Sequence, residues 1–345
     1  MKKTLLTICL TWMCFSLSAQ KIIDLSGKWS FSIDRQDNGE KEKWFSHTLN
    51  DCINLPGSMP EKLKGDEVTA KTQWTGSLYD SSYYYNPYME KYRKEGNIKF
   101  PFFLTPDKHY VGAAWYQKEV NIPADWKGER ILLFLERPHI ETTVWVNGQK
   151  TGMQNSLCVP HQYDITRYVR PGKCTITIRV DNRIKEINVG PDSHSITDQT
   201  QGNWNGIVGR ICLQTTPKTY FDDIQIYPEP EQKLARVKVV IKGTGTAKVK
   251  LSAESFNTDK KHIVPAIQQE IKLNKGVTET EMVLPMGNDM LLWDEFHPAL
   301  YKLKAEVTNG KKTEIKEIQF GMRRFEIKGK WFYVNGRKTQ LRGTV

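Results

Sequence analysis

The sequence predicts an all-β protein, built as one large β-sandwich followed by a smaller sandwich of the immunoglobulin-like type. The first observation is the alternation of apolar and polar residues in segments such as Cys174–Asp181, which is typical of a strand with one buried face. The second is a set of Asn-Gly pairs after apolar runs, the strongest short-range hairpin signal. The third is that helical periodicity is almost missing between residues 22 and 320.

The first 19 residues have the composition of a signal peptide. Two lysines precede an apolar run over residues 5–17, and small residues follow up to Ala19. The run is too short for a membrane span, and no later stretch approaches the ~20 apolar residues that a transmembrane helix needs. Cys9 and Cys14 lack the small preceding residue expected at a lipid-attachment site. We therefore expect cleavage after Ala19 and release to the periplasm or the medium.

The charge pattern argues against nucleic acid as a partner. The formal net charge is +11 for the full chain and +9 without the two lysines of the leader. The remaining lysines are spread along strand-like segments such as Lys302-Leu-Lys304, where they alternate with an apolar face. Solvated sheet faces of this kind discourage edge pairing. Export also separates the protein from nucleic acid.

The sequence predicts no metal site and no cofactor. Four of the six cysteines lie outside the leader, and their wide spacing fits neither a disulfide scaffold nor a zinc site. We expect these four to be small buried hydrophobic residues: Cys52, Cys158, Cys174 and Cys212. His47, His139 and His161 are isolated in sequence, which predicts ordinary surface or turn histidines.

The strands of the first sandwich have recognisable local patterns. Ile131–Leu135 is apolar on both faces, which predicts a strand in the middle of a sandwich. Thr142–Gln149 is a strand that runs into the turn at Asn147-Gly148. The alternation at Cys174–Asp181 predicts a strand with one solvated face.

One long connection, Lys62–Val111, does not fit a plain sandwich. It carries Trp74, six tyrosines between positions 79 and 92, and the sequence Pro101-Phe-Phe103. Long loops in compact domains are usually functional or disordered, and this one is too aromatic for disorder. Two interpretations stay open. The aromatic rings stack on sugars, or the loop packs its own aromatic residues on the sandwich.

The pattern of apolar and polar residues changes near residues 217–223, where we expect the second sandwich to begin. About seven short alternating strands in roughly 100 residues match the size of an immunoglobulin-like domain. Examples are Arg236–Lys242, Val249–Ala253 and Tyr301–Val307, and Asn309-Gly310 predicts a turn into the next strand.

The last residues predict a further strand, a turn at Asn335-Gly336 and the start of another strand at Leu341–Gly343. Few residues follow in the sequence against which these strands could pack. We therefore expect Trp331, Phe332 and Tyr333 to lack burial partners and this segment to be poorly anchored.

Motifs in a consistent order along the chain resemble glycoside hydrolase family 2, the family of β-galactosidases, β-glucuronidases and β-mannosidases. Those of its sugar-binding domain are Leu25-Ser-Gly-Lys-Trp29, Leu55-Pro-Gly57, Trp115-Tyr116, Val144-Trp-Val-Asn147-Gly148, Tyr163-Asp164-Ile165-Thr166 and Gly206-Ile-Val-Gly209. Those further on are Leu292-Trp293, His297-Pro298, Phe320-Gly-Met-Arg323 and Val334-Asn335-Gly336. After a leader at 1–19, the resemblance implies a jelly-roll-type sugar-binding β-sandwich at 20–218. It further implies an immunoglobulin-like β-sandwich at 219–320 and a short stub of a (β/α)8 barrel at 321–345.

The resemblance also implies where the chemistry lies. Retaining hydrolysis needs two carboxyl groups about 5 to 5.5 Å apart, and in this family they belong to the barrel. Its acid/base glutamate follows an asparagine, and the sequence contains no Asn-Glu pair. A barrel needs at least about 200 residues. We therefore expect no catalytic residue in these 345 residues, an inactive chain, and a missing catalytic barrel of the same polypeptide as its partner. Asp294-Glu295 is interpreted as ordinary turn carboxylates.

The loop before Gly206 is the best candidate for a substrate contact. In the family the equivalent loop reaches the active site, and an aspartate on it can touch the terminal sugar. Planar amide and carboxylate groups match vicinal hydroxyls, and an indole can stack on the ring. The candidate residues are His194, Asp198, Gln201, Asn203, Trp204 and Asn205. The alternative is a polar loop that satisfies its own turns. Arg342 would lie at the first barrel strand, near the mouth of the active site.

Three functions remain possible at this stage. The leading hypothesis is the non-catalytic N-terminal part of an exported, retaining exo-β-glycosidase that acts on a terminal β-linked sugar. In it the sandwiches brace the barrel and form one wall of the substrate pocket. The alternative is a free-standing carbohydrate-binding or surface interaction module. A purely structural immunoglobulin-type protein is disfavoured, because it would leave the polar loop before Gly206 without a role. The sugar, the metal dependence and the oligomeric state are not determined by the sequence.

Overall fold

The computed structural model describes residues 21–76, 80–101, 103–185, 193–194 and 196–343. The leader predicted at 1–19 lies outside these residues. The chain divides into two units, which meet in sequence between Thr216 and Pro217. No helix in the described part of the chain combines the length and apolar character that a membrane crossing requires.

The first unit consists of short and medium strands joined by turns. They are β1 (Ile22–Asp24), β2 (Gly27–Asp34), β3 (Asp51–Leu55), β4 (Gly57–Ser58), β5 (Asp66–Glu67), β6 (Lys108–His109), β7 (Ala113–Ile122), β8 (Arg130–Pro138), β9 (Glu141–Val146), β10 (Gln149–Asn155), β11 (His161–Asp164), β12 (Gly172–Asp181) and β13 (Gly206–Thr216). One helical turn, α1, spans Ser82–Tyr85, and 3-10 turns lie at Trp44–Ser46, Pro87–Tyr92, Ala124–Trp126 and Thr166–Tyr168.

Apart from β5 and β6, which pair with each other, these strands form an antiparallel sandwich of two sheets. One sheet has the order β1-β13-β8-β11, with β4 also paired to β13, and the other has the order β10-β9-β12-β7-β2-β3. Inward side chains of both sheets share one buried core, including Leu133 and Leu213 from the first sheet and Phe31, Tyr116 and Ile178 from the second. Facing sheets that interdigitate in this way define a β-sandwich, as the sequence predicts.

Two strand predictions are confirmed. β8 lies between β13 and β11, and Leu132 and Leu133 on its opposite faces are both buried. β9 and β10 form a hairpin whose two-residue loop is Asn147-Gly148, with φ of +49° and +76°. Positive φ at both central residues is the type I′ geometry that Asn-Gly favours.

The prediction of one solvated face for Cys174–Asp181 is wrong. Thr177, Arg179 and Asp181 on the outer face of β12 are buried, because residues 35–49 fold over that face and bring Trp44 close to Trp115. Arg179 forms ion pairs with Asp37 at 2.6 Å, Asp181 at 2.9 Å and Glu141 at 3.3 Å. Because Arg179 is charged, it gives the sequence the alternating pattern of a half-exposed strand. Its ion pairs nevertheless allow it to be buried.

The long segment 62–111 packs its own aromatic residues, and it also exposes some of them. Trp74 stacks on Phe103 with a centroid distance of 5.6 Å, and Tyr83 stacks on Phe100 at 4.6 Å. Three other tyrosines are 46, 72 and 85% exposed, namely Tyr84, Tyr85 and Tyr88. Tyr79 and Phe102 lie outside the described residues. Both interpretations of this segment are therefore compatible with its structure.

The second unit is also built of antiparallel strands. They are β14 (Tyr220–Glu229), β15 (Leu234–Ser255), β16 (Ile263–Pro285), β17 (Tyr301–Asn309), β18 (Lys312–Phe320), β19 (Phe325–Lys328), β20 (Trp331–Val334) and β21 (Arg337–Thr339), and a 3-10 turn lies at Pro230–Gln232. The main sheet has the order β14-β15-β17-β18, with β16 paired along β15.

Two long strands shape this unit. β14 pairs with the first part of β15, and β17 pairs with its last part, whereas β16 follows both parts. The register shifts between Gly243 and Gly245, where a strand can bend from one layer into the other. Val237 and Ile241 before the bend and Leu251 after it belong to the same buried core. The second sandwich is thus confirmed.

Turns in the second unit match the sequence closely. The hairpin between β17 and β18 has Gly310 at its first central position, with φ of +60°, so the predicted turn lies one residue later than Asn309-Gly310. Asp294 accepts hydrogen bonds from the backbone amides of Phe296 and His297, both at 2.8 Å. Glu295 pairs with Arg337 at 2.7 Å. Asp294 and Glu295 are therefore turn and surface carboxylates, as expected.

β19, β20 and β21 form a separate small sheet. Its Asn335-Gly336 turn has φ of +50° and +79°, which confirms the predicted tight turn. The strand after the turn is Arg337–Thr339 and residues 341–343 are not in a strand, so the strand start predicted at Leu341–Gly343 is wrong. Trp331 and Phe332 are 37 and 36% exposed, as expected, and Tyr333 is half-buried. The sheet is nevertheless attached to the unit, because the side-chain amide of Asn335 donates to the carbonyl of Trp293 at 2.9 Å.

Candidate functional site

The polar loop predicted to meet substrate enters β13 and belongs to the first unit. Its described residues are 193–194 and 196–205. Short backbone bonds wind it into turns, since the amides of Gln201 and Gly202 both donate to the carbonyl of Thr197, at 3.1 and 3.2 Å. Gly202 has a φ of +72°, which glycine adopts without strain. We call residues 193–205 the polar loop.

Asp198 fastens the polar loop to the segment 62–111. Its carboxylate accepts the backbone amides of Thr75 at 2.7 Å and Asn203 at 2.6 Å, and His109 Nε2 lies 3.3 Å away. The backbone of Asp198 bonds to Thr75 and Leu104 as well. Only 1% of the surface of Asp198 is exposed, so in this structure its carboxylate links the polar loop to segment 62–111. Contact of this carboxylate with a sugar stays a prediction.

The two asparagines of the polar loop also form hydrogen bonds within the protein. The Asn203 side chain donates to Thr75 Oγ1 at 3.0 Å and to the carbonyl of Asn182 at 3.1 Å. Asn205 accepts the Tyr116 hydroxyl at 2.8 Å and donates to the carbonyls of Gly112 and Val180 at 2.9 and 3.0 Å. Both residues are buried. They hold the loop against the end of β12, so their amides are occupied within the protein.

Three predicted residues of the polar loop remain accessible. Gln201 and His194 are exposed, and Trp204 is half-buried. One face of the Trp204 indole stacks on the imidazole of His139, with a centroid distance of 4.5 Å and an angle of 23° between the planes. The structure therefore combines a rigid base, formed by Asp198 and the asparagines, with a surface that can stack on and hydrogen-bond a ligand.

His139 was not predicted to take part, and its assignment as a surface histidine is wrong. His139 is 5% exposed, and burial lowers its pKa to about 4. Its Nε2 has no hydrogen-bond partner among the described residues. At neutral pH the ring is thus uncharged and supports Trp204 from behind. A single histidine at the end of β8 carries no sequence signal for this role.

The other two histidines give one confirmation and one correction. His47 is exposed, as expected. His161 is fully buried, with Nδ1 2.6 Å from Thr142 Oγ1 and Nε2 3.2 Å from the carbonyl of Ser156. Burial also lowers the pKa of His161. It is a core residue because both ring nitrogens have polar partners there.

The four cysteines in the described part of the chain are free thiols. Cys174 and Cys212 are buried, as expected, whereas Cys52 and Cys158 are exposed. Burial raises the pKa of Cys174 to about 11, so this thiol stays protonated. Within the described residues no group of three or more His, Cys, Asp or Glu side chains could hold a metal ion.

Arg342 belongs to the second unit and lies exposed after β21. Its role in ligand binding stays a prediction.

Comparison with protein families identifies the two units. The model described as "Glycosyl hydrolases family 2, sugar binding domain" matches residues 22–217, and the one described as "Glycosyl hydrolases family 2" matches residues 219–323. The chain belongs to glycosyl hydrolases family 2. The resemblance carried by the sequence motifs is thereby confirmed.

Curated relatives of this family 2 chain are glycosidases. A β-glucuronidase of Paenibacillus borealis is 24% identical, over 94% of this chain and 49% of its own length. Human β-glucuronidase is 24% identical, over 93% of this chain and 47% of its own length. A putative β-glucuronidase of Formosa agariphila is 29% identical, over 70% of this chain and 28% of its own length. The chain thus spans about half the length, or less, of the curated relatives it matches.

Solved structures agree on the fold. The apo β-glucuronidase of Ruminococcus gnavus superposes with a TM-score of 0.62 at 19% identity, over 94% of this chain and 49% of that one. A complex of the Ruminococcus gnavus enzyme with D-glucuronic acid gives a TM-score of 0.63 at the same identity, over 94% of this chain and 50% of that one. At this identity the likeness concerns the fold of the family 2 chain.

Proposed function

We propose that this chain is the non-catalytic N-terminal part of an exported, retaining exo-β-glycosidase. The first sandwich supplies one wall of the substrate pocket through the polar loop, and both sandwiches brace a catalytic barrel of the same polypeptide. The domains are those that the sequence predicts, at 20–218, 219–320 and from 321 onward. The signal peptide directs the protein to the periplasm or the medium.

The observation that carries this proposal is the construction of the polar loop within a sugar-binding family domain. Asp198, Asn203 and Asn205 are buried and hydrogen-bonded, so the loop is rigid. Trp204 and Gln201 lie at its accessible surface. A preformed wall with an aromatic ring and an amide suits a pyranose ring and its hydroxyl groups.

The substrate is proposed from the relatives. They are named β-glucuronidases and β-galactosidases, and one structural neighbour is a complex with D-glucuronic acid. We therefore propose a terminal β-linked glucuronate or galactose as the sugar that meets the polar loop. The attacking and protonating carboxyl groups, which retaining hydrolysis requires about 5 to 5.5 Å apart, belong to the barrel.

Nitrophenyl β-glucuronide and β-galactoside assays test the proposal. We expect no nitrophenol release from the purified 345-residue chain, and release from a polypeptide extended in the same reading frame through the barrel. Turnover by the chain alone, beyond a mock-purified control, would show that it is catalytic by itself. An extended polypeptide that is folded but inactive on both glycosides would overturn the assignment as a glycosidase.

A further inference from the structure

The segment 62–111 encloses a cleft beside the polar loop. We infer that this cleft is a second carbohydrate subsite, which takes the sugar units that follow the terminal sugar of an oligosaccharide. The inference rests on the proposed function, because the polar loop defines where the terminal sugar lies. It extends that function from a single sugar to a glycan chain.

The cleft has a volume of about 860 Å³, within the range of pockets for small organic ligands. It is lined by residues 67–70, 93, 95–100 and 103–107. All of these residues come from one segment of the first unit. The cleft is therefore formed without any contribution from the second unit.

The lining has the mixed chemistry of a sugar site. It combines two phenyl rings with hydroxyl, amide and charged groups of both signs, namely Phe100, Phe103, Thr69, Asn97, Arg93, Lys99, Glu67, Glu95 and Asp107. Arg93 and Asn97 already donate to the carbonyls of Tyr83 and Lys91, and Glu67 pairs with Lys108. An apolar ligand would remove water from the exposed charged groups of the lining, such as Lys99 and Glu95. A phosphate-rich ligand would meet three carboxylates. A hydroxyl-rich ligand can donate to the acceptors, accept from the donors and stack on the rings.

The aromatic rings of the cleft are fixed before any ligand arrives. Phe103 stacks on Trp74, with 16° between the planes, and Phe100 meets the same indole edge-on at 5.1 Å. Tyr83 is buried and stacks on Phe100 at 4.6 Å. A rigid stacking surface lowers the entropy cost of binding. The Tyr84 hydroxyl lies 3.5 Å from the carbonyl of Ala70, which lines the cleft.

The cleft and the polar loop share a boundary. Leu104, which lines the cleft, donates its amide to the carbonyl of Asp198 at 2.8 Å. A Cβ placed on Gly76 would lie 3.0 Å from Gln199 Oε1 and 3.5 Å from Phe103. The Gln199 amide of the polar loop therefore lies close to the aromatic wall of the cleft. A glycan chain leaving the polar loop can continue into the cleft.

Two buried polar atoms near this boundary are unsatisfied. Trp74 Nε1 is a donor and Gln199 Oε1 is an acceptor, and neither has a hydrogen-bond partner among the described residues. Buried polar groups normally have partners. Neither residue belongs to the cleft lining and both atoms are shielded from solvent, so the proposed ligand is expected to bind in front of this pair and not on it.

Calorimetry with the 345-residue chain tests the inference directly. Two probe series are titrated from monosaccharide to tetrasaccharide, one of β-1,4-linked galactose and one of hyaluronan oligosaccharides with terminal β-glucuronate. We expect the affinity in at least one series to rise about tenfold between the monosaccharide and the trisaccharide or tetrasaccharide. No gain with length in either series would overturn the inference and leave solvent or another protein segment as the occupant.

Variants test whether the gain in affinity with chain length arises in the cleft. Asp107→Trp fills the cleft from an exposed position, and Lys99→Ala removes an exposed cation from its lining. Asp259→Trp, on an exposed bend of the second unit, is the matched control. We expect both cleft variants to lose the gain with chain length and the control to keep it. If Asp107→Trp lowers the unfolding temperature, Lys99→Ala alone shows whether the extra sugar units bind in the cleft.

The outcomes for the two proposals are separable. A gain with length that both cleft variants retain would show that the extra sugar units bind elsewhere and would overturn the subsite. Hydrolysis of nitrophenyl glycosides by the extended polypeptide tests the glycosidase assignment and requires no cleft. Length-dependent binding together with an inactive extended polypeptide would support the subsite and refute the glycosidase.

Discussion

Replacing Asp198 with alanine should loosen the polar loop. The buried carboxylate accepts two backbone amides, from Thr75 and Asn203, at 2.7 and 2.6 Å. Hydrogen bonds to a charged group contribute about 1.5 to 3 kcal/mol each. Water entering the truncated site recovers part of this loss. We therefore expect Asp198→Ala to lower the free energy of unfolding of the first unit by about 3 kcal/mol.

Asp198→Asn separates the contribution of the carboxylate from that of side-chain volume. Its single carbonyl oxygen can accept one of the two amides, so we expect about half the loss seen with alanine. Asp289→Ala is the control, because its ion pair with Lys260 is at the surface of the second unit and 80% exposed at the carboxylate. Such pairs contribute about 0 to 1 kcal/mol.

Urea unfolding followed by tryptophan fluorescence measures these effects in the relevant unit. Seven of the ten tryptophans lie between residues 29 and 204, so the signal reports mainly on the first unit. The same variants should become more sensitive to proteolysis within the polar loop. Surface substitutions typically change the free energy of unfolding by about 0.5 kcal/mol or less. A change of that size in Asp198→Ala would refute the structural role assigned to this carboxylate.

Three further predictions concern stability and accessibility. The pKa of His139 is lowered by burial to about 4 from 6.5, so the unfolded chain binds a proton that the folded chain does not. Stability should fall as the pH drops from 6.5 towards 4, by up to about 3 kcal/mol from this group, and His139→Phe should show a shallower fall in urea titrations at several pH values. Gly206→Ala should cost about 2 kcal/mol or more, measured by thermal unfolding, because its Cβ would lie 2.5 Å from the Gly57 carbonyl oxygen at a φ of +143°. A thiol reagent should label Cys52 and Cys158 in the native chain and the two buried cysteines only after unfolding; native labelling of all four would contradict the core packing.

The predictable parts of the fold share one property, which is that their signals are local. An Asn-Gly pair selects a type I′ turn from its own backbone preference, and both Asn147-Gly148 and Asn335-Gly336 adopt it. The apolar run of β8 requires burial on both faces wherever it lies. By contrast, Arg179 has the alternation of a half-exposed strand, and its burial depends on residues 35–49, which are far away in sequence.

The candidate site shows the same division. Composition singled out the polar loop, since Asp, Asn, Gln and Trp are concentrated in few residues. It could not separate residues that hold the loop from residues that face solvent, because both kinds use the same side chains. His139 was missed for a related reason. Its contact with Trp204 joins two positions 65 residues apart, and nothing near His139 in sequence indicates a stacking partner.

The sequence by itself determined that this is an all-β chain of family 2, with a sugar-binding sandwich followed by an immunoglobulin-like one. Strand periodicity, turn chemistry and ordered motifs are encoded within short stretches, so they can be recognised without the fold. Only the tertiary structure decided that Asp198, Asn203 and Asn205 support the polar loop, that Trp204 rests on a neutral His139, and that segment 62–111 encloses a cleft beside them. Burial and hydrogen bonding of a side chain depend on contacts between segments that are distant in sequence. Those contacts form only when the whole unit packs.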